Sequence, residues 1–202
     1  MDKKDRTLSR SDTISLVAFV VAGAVIVVSA MWGAIGRIVE LAVGRDVAVT
    51  VEFLGSPAVA QLPGGSLDVQ LDTAAVIVPS LSAIGRVPGI LGQVAFAVTI
   101  VGVVVCLTLL SRNLLRGRVF GRANSAIVAT AGLLALIGTA AARFFDNMLA
   151  NAAMAQLTDG PTDTAVISVE PFPFILAAFA FAVIGSVFVV GARLQRETEG
   201  LV

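Results

Sequence analysis

The sequence predicts a mainly α integral membrane protein, a four-transmembrane-helix bundle with a small extracytoplasmic β cap. Three observations lead there. The 202 residues are 57% hydrophobic and only 14% charged, whereas a soluble domain is about 45–50% apolar and about 25% charged. Four charge-free stretches, 14–36, 87–111, 123–142 and 171–192, are each near the ~20 apolar residues that cover about 30 Å of hydrocarbon. The segments between them carry period-two alternation of apolar side chains, the mark of half-buried strands. The whole chain, 1–202, reads as a single integral membrane domain.

The first span, 14–36, follows Lys3, Lys4, Arg6 and Arg10. Its apolar run exceeds the roughly 7–15 residues of a signal-peptide core, and no persuasive Ala-x-Ala site follows it before Arg37, so a retained anchor is expected. The outer segment 37–86 is too long for a plain turn. In "DVAVTVEFLG" Val47, Val49, Val51 and Phe53 alternate with Ala48, Thr50, Glu52 and Leu54; in "SLDVQLDT" Leu67, Val69 and Leu71 alternate with Asp68, Gln70 and Asp72. The expectation is that 47–54 and 67–72 pair as antiparallel strands across a Pro63-Gly64-Gly65 turn, with "AAVIVP" extending the second strand or starting a third. Span two, 87–111, contains the single cysteine, Cys106, which reads as inert packing.

The cytoplasmic hairpin 112–122 carries Arg112, Arg116, Arg118 and Arg122. In span three, Asn124 or Ser125 is expected to cap the helix start. The outer segment 143–170 begins as a helical extension, breaks at Asp159-Gly160-Pro161 and alternates again in "TAVISVEP". Three or four short strands in all are expected to form the cap, because an isolated hairpin is marginal in water. Pro171 and Pro173 suit the first turn of span four, and the tail beyond it carries Arg193 and Arg196.

Orientation follows from Lys and Arg next to the spans. Ten of the 14 basic residues lie on the N-terminal tail, the 112–122 hairpin and the C-terminal tail, while most acids lie in the two other loops. Both termini are therefore expected in the cytoplasm, in a multi-pass protein of the cell membrane. Trp32, Phe144, Phe145, Phe172 and Phe174 fall at the outer helix ends, where an interfacial belt belongs. Arg112, Arg116, Arg118, Arg122, Arg193 and Arg196 are the candidate contacts for anionic lipid, at about 1 kcal/mol per residue near the surface, or for a protein partner. A nucleic-acid site would need more bases, more stacking partners than Phe120 and a recognisable module, and the formal net charge is zero; no direct nucleic-acid contact is expected.

Arg37 with Glu40, Arg143 with Asp146, and Arg193 with Glu197 have the spacing of helix-end ion pairs. Arg143 and Asp146 lie nearest the membrane and also offer a polar site. Small residues, Ala178, Ala182 and Ser186 in span four, Ala22, Ala30 and Ala34 in span one, and Gly138 and Ala142 in span three, suit helix packing or a homodimer face. The chain has no histidine, so no serine has that base; it has no metal-ligand cluster and no phosphate loop. A non-enzymatic protein without cofactors is expected. No ionisable residue interrupts the four cores, where transporters usually keep one; a neutral pathway built from backbone and small residues keeps transport, or lipid binding, as the alternative.

The stretches "LLRGRVFGRAN" (114–124), "GLLALIG" (132–138) and "GARLQRETEGLV" (191–202) resemble the YoaS-like family of small bacterial four-span membrane proteins, a domain of unknown function. The resemblance implies a four-helix membrane protein without catalytic residues. Because genes of that family often lie beside a small helix-turn-helix regulator, it also implies a membrane partner or regulator of such a cytoplasmic protein.

Overall fold

The structure, a computed structural model, describes residues 10–116, 121–158 and 171–199. The order of elements is α1 (Arg10–Val43), β1 (Arg45–Leu62), β2 (Gly65–Ser80), α2 (Ala83–Leu115), α3 (Arg122–Leu157) and α4 (Pro171–Glu199). All four helices are long and apolar enough to cross a membrane, and α1 to α3 run well past the spans expected from charge-free stretches alone. The extra turns are amphipathic, and charge does not break a helix once its ends leave hydrocarbon. The chain is thus mainly helical and compatible with a membrane helical bundle, with one two-stranded antiparallel sheet among the described residues.

The residues fall into two compact units: Met1–Gly33 with Ala95–Ala140 and Glu170–Val202, and Ala34–Val94 with Ala141–Val169. In the first unit, glycines set the helix contacts. A Cβ at Gly23 would stand 2.9 Å from Val104 Cγ1, one at Gly102 2.9 Å from Leu134 Cδ1, and one at Gly132 2.9 Å from Phe181 Cγ; one at Gly138 would overlap the side chain of Thr99. These contacts join α1 to α2, α2 to α3 and α3 to α4. Close backbone approach is the expected source of cohesion where lipid removes the hydrophobic drive between helices. The expected small-residue stripe of α4 does not take part: Ala178, Ala182 and Ser186 are exposed, and no described residue of α4 is buried. Phe181, beside that stripe rather than in it, packs instead, because Gly132 leaves it room.

The second unit contains the hydrophobic core. Leu41 of α1, Val47, Val49, Val51 and Val78 of the sheet, Leu81, and Leu149 and Ala153 of α3 are buried together, with Ile90 of α2 and Met154 half-buried beside them. Alternation along β1 sends Val47, Val49 and Val51 inward and leaves Ala48 and Thr50 exposed. The helices supply the apolar cover that an isolated hairpin lacks.

The hairpin corrects the expected pairing. Pro63-Gly64 is a two-residue turn closed by Leu62 opposite Gly65, and the turn fixes the register. Residues 67–71 therefore face 56–60, while 47–52 face 73–78, the stretch that includes "AAVIVP". The two most clearly alternating runs lie in opposite halves of one long ribbon, so they do not pair with each other. The register shifts between Glu52 and Ser56, where Gly55 takes a φ of 76° that glycine adopts without steric cost. The alternation in 164–170 and the break at 159–161 lie outside the described residues.

α1 ends at Gly44, whose φ is 67° and whose N–H donates to Glu40 O at 3.0 Å, a left-handed helix stop. Ser82 caps the start of α2: its Oγ accepts from the Gly85 N–H at 3.1 Å. The expected caps of α3 are displaced: α3 begins at Arg122, Ser125 Oγ donates back to Gly121 O at 3.4 Å, and the Asn124 side chain turns to α2. α4 does begin at Pro171, as the two prolines suggest.

Candidate functional site

Two polar surfaces carry the chemistry of the described residues, one in each unit. In the first unit the ends of α2, α3 and α4 carry the arginines. Arg112 lies in the last turn of α2, Arg116 follows it, and Arg122 opens α3; all three are exposed. Arg122 and Arg193 line one groove of about 490 Å³ with Ser125, Val189, Ala192 and Glu197. Two arginines distant in sequence thus share a surface, while Arg193 Nε also donates to Glu197 Oε1 at 3.0 Å. Arg118 and the side chain of Arg196 lie outside the described residues. Beneath this face Asn113 Nδ2 donates to Asn124 Oδ1 at 2.8 Å. Asn124 is only 2% exposed, so the bond satisfies an amide that would otherwise be costly to bury. The sequence offers Asn124 or Ser125 as a cap; Asn124 is instead the third residue of α3, faces Asn113 of α2 and ties the two helices together.

In the second unit α1, β1, α2 and α3 enclose a cleft of about 340 Å³, lined by Arg37, Glu52, Gln93, Arg143, Asp146 and Asn151 around an apolar floor that includes Leu41, Val49 and Leu149. Gly89 lets Leu41 and Leu149 close the floor, and Gly92 leaves room for Asp146, whose Oδ1 stands 3.4 Å from where a Cβ would be. Arg37 is held as expected by Glu40, at 2.7 Å, and donates to Ala48 O at 2.5 Å. Arg143 departs from expectation. Its nearest carboxylate is Glu52 of β1, at 3.9 Å, and 60% of its side chain is exposed. The strand crosses α3 at this point, so Glu52 replaces Asp146 as its closest partner. Sequence reading named Arg143 and Asp146 but not Glu52 or Gln93, which come from other elements and have no spacing relation to them. Among the described residues no group of three acidic, cysteine or histidine side chains is placed to hold a metal ion.

Four long apolar helices, charged residues gathered at their ends and a two-stranded sheet define a multi-pass helical membrane protein. The chain belongs to the family described as protein of unknown function (DUF2975), whose model matches residues 70–202. That stretch includes all six candidate arginines as well as Arg143 and Asp146, and leaves α1 and β1 outside. No curated protein and no solved structure matches the chain.

Proposed function

We propose that the protein is a non-enzymatic component of the cell membrane, with both termini and the 112–122 hairpin cytoplasmic and the β hairpin outside, and that its cytoplasmic face docks a regulatory protein through carboxylates. Within the family, the hairpin and tail sequences favour kinship with the YoaS-like members. The observation that carries the reading is the shared groove of Arg122 and Arg193. It turns two basic segments into one surface with the planar, bidentate donors that suit carboxylates. Charge distribution supports the orientation, and the same arginines are suited to anionic lipid. The exposed Ala178–Ala182–Ser186 face of α4 favours self-association as an additional contact.

The test replaces Arg122 and Arg193 with lysine. Insertion depends on positive charge and is retained, whereas lysine cannot reproduce the guanidinium fork. The docking reading requires that proteins co-purifying with the wild-type chain in mild detergent be lost from the double-lysine chain at equal membrane levels. Equal recovery, also after removal of residues 196–202, reduces the arginines to lipid anchors. The alternative, a transport or lipid-binding role, draws its support from the cleft of the second unit.

A further inference from the structure

We propose that the cleft of the second unit is a binding site for a small zwitterionic group, an ammonium and an anion a few bonds apart, as a free amino acid or an ethanolamine phospholipid headgroup presents them. The charge inventory of the cleft points to this chemistry. Arg37 is already engaged by Glu40 and the Ala48 carbonyl. Arg143 is held only loosely: its ion pair with Glu52, at 3.9 Å, is too long for a hydrogen bond, and 60% of its side chain is exposed. Asp146 forms no ion pair within 4 Å among the described residues, although it stands in the same wall. The cleft thus offers a guanidinium whose one ion pair, to Glu52, is long, and a second carboxylate, Asp146, outside that pair.

A purely anionic ligand would meet Glu52 and Asp146, and a purely cationic one would meet Arg143. A zwitterion satisfies both signs at once, its anion on Arg143 and its ammonium on Asp146 and Glu52, through charge-assisted hydrogen bonds that are stronger than neutral ones. Gln93 and Asn151 add neutral donors and acceptors to the walls. The floor of Leu41, Val49 and Leu149 belongs to the buried core, which keeps it rigid. The volume, about 340 Å³, lies at the lower end of the roughly 300–1,000 Å³ of small-molecule pockets.

The experiment uses the full chain in phosphatidylglycerol nanodiscs, with L-alanine and phosphoethanolamine as zwitterionic probes and methylammonium and acetate as single-charge controls. Saturable binding of at least one zwitterion, with a raised unfolding midpoint and no comparable effect of either control, is expected. Arg143→Gln and Asp146→Asn should each weaken that binding by about ten- to a hundredfold, the value of one charge-assisted bond. L-alanine binding without phosphoethanolamine binding identifies a free solute. Phosphoethanolamine binding, with ethanolamine lipid enriched over glycerol lipid on the purified wild type and not on Arg143→Gln, identifies a headgroup. Failure of both zwitterions to bind overturns the proposal, as does equal affinity in the variants. If a variant does not fold, the comparison of zwitterions with single-charge controls on the wild type decides alone.

Discussion

Arg86 donates from Nε to Leu81 O at 2.8 Å and from Nη1 to Ala42 O at 2.9 Å. It thereby satisfies a carbonyl that the end of α1 leaves without a helical partner and ties that end to the junction of β2 and α2. Gly44 lies under the guanidinium, where a Cβ would collide with it, and its φ of 67° disfavours any other residue. Arg86→Lys keeps the charge but loses the fork; it should destabilise the protein by about 1–3 kcal/mol, seen as a lower thermal midpoint in detergent with unchanged membrane insertion. The Asn113–Asn124 bond gives a second prediction at this scale. Asn124→Ala leaves Asn113 without its acceptor and should cost about 1–3 kcal/mol, while the double alanine variant should cost less than the sum of the two single changes. Neither role was legible in the sequence. Spacing says nothing of Arg86, because its acceptors lie on two other segments, and it cannot tell Asn124 from a cap without the start of α3. Arg37–Glu40 and Arg193–Glu197 were legible, since helical spacing alone brings those side chains together.

The hairpin shows the corresponding limit for an element. Alternation identified both strands and the turn, because a half-buried strand repeats every two residues whatever its partner. The register was not legible: it depends on which two residues form the turn and on the shift at Gly55, and neither changes the alternation. The four helices were legible as spans, while their ends were not, since α1 and α3 continue on amphipathic sequence into the second unit. Helix contacts lead to a third prediction. A Cβ at Gly138 overlaps Thr99, which is 6% exposed and whose Oγ1 is bonded to Ala95 O at 2.7 Å. Gly138→Ala should therefore destabilise the protein by about 1–3 kcal/mol. At Gly185 of α4 nothing stands within 4 Å of a Cβ, so Gly185→Ala should leave the midpoint unchanged or raise it. Thermal unfolding of the two variants in the same detergent checks the contrast.

For the whole molecule, composition alone excluded a soluble domain, because hydrocarbon admits few backbone solutions and four long apolar runs are one of them. The arginine groove was half legible: charge counting singled out its members but could not join Arg122 to Arg193. The cleft was less so, because Arg37, Glu52, Gln93 and Asp146 come from four elements. The proposed orientation yields the fourth prediction. In a Cys106→Ala background, Ser66→Cys beside the hairpin turn should react with an impermeant thiol reagent in intact cells, and Ala123→Cys at the start of α3 should react only after permeabilisation. The reverse pattern would invert the topology and place the groove outside.

The buried core of the second unit also bears on biogenesis. Leu41, Val47, Val49, Val51, Val78 and Leu81 leave the ribosome early, but Leu149 and Ala153, which lie among them in the finished core, are synthesised only after α2 and most of α3. Until then the inward face of the ribbon has incomplete cover. Retention of the early chain by the insertion machinery, or by a chaperone with an apolar surface, would protect that face from pairing with other chains. The core is thus complete only once the third helix has been made.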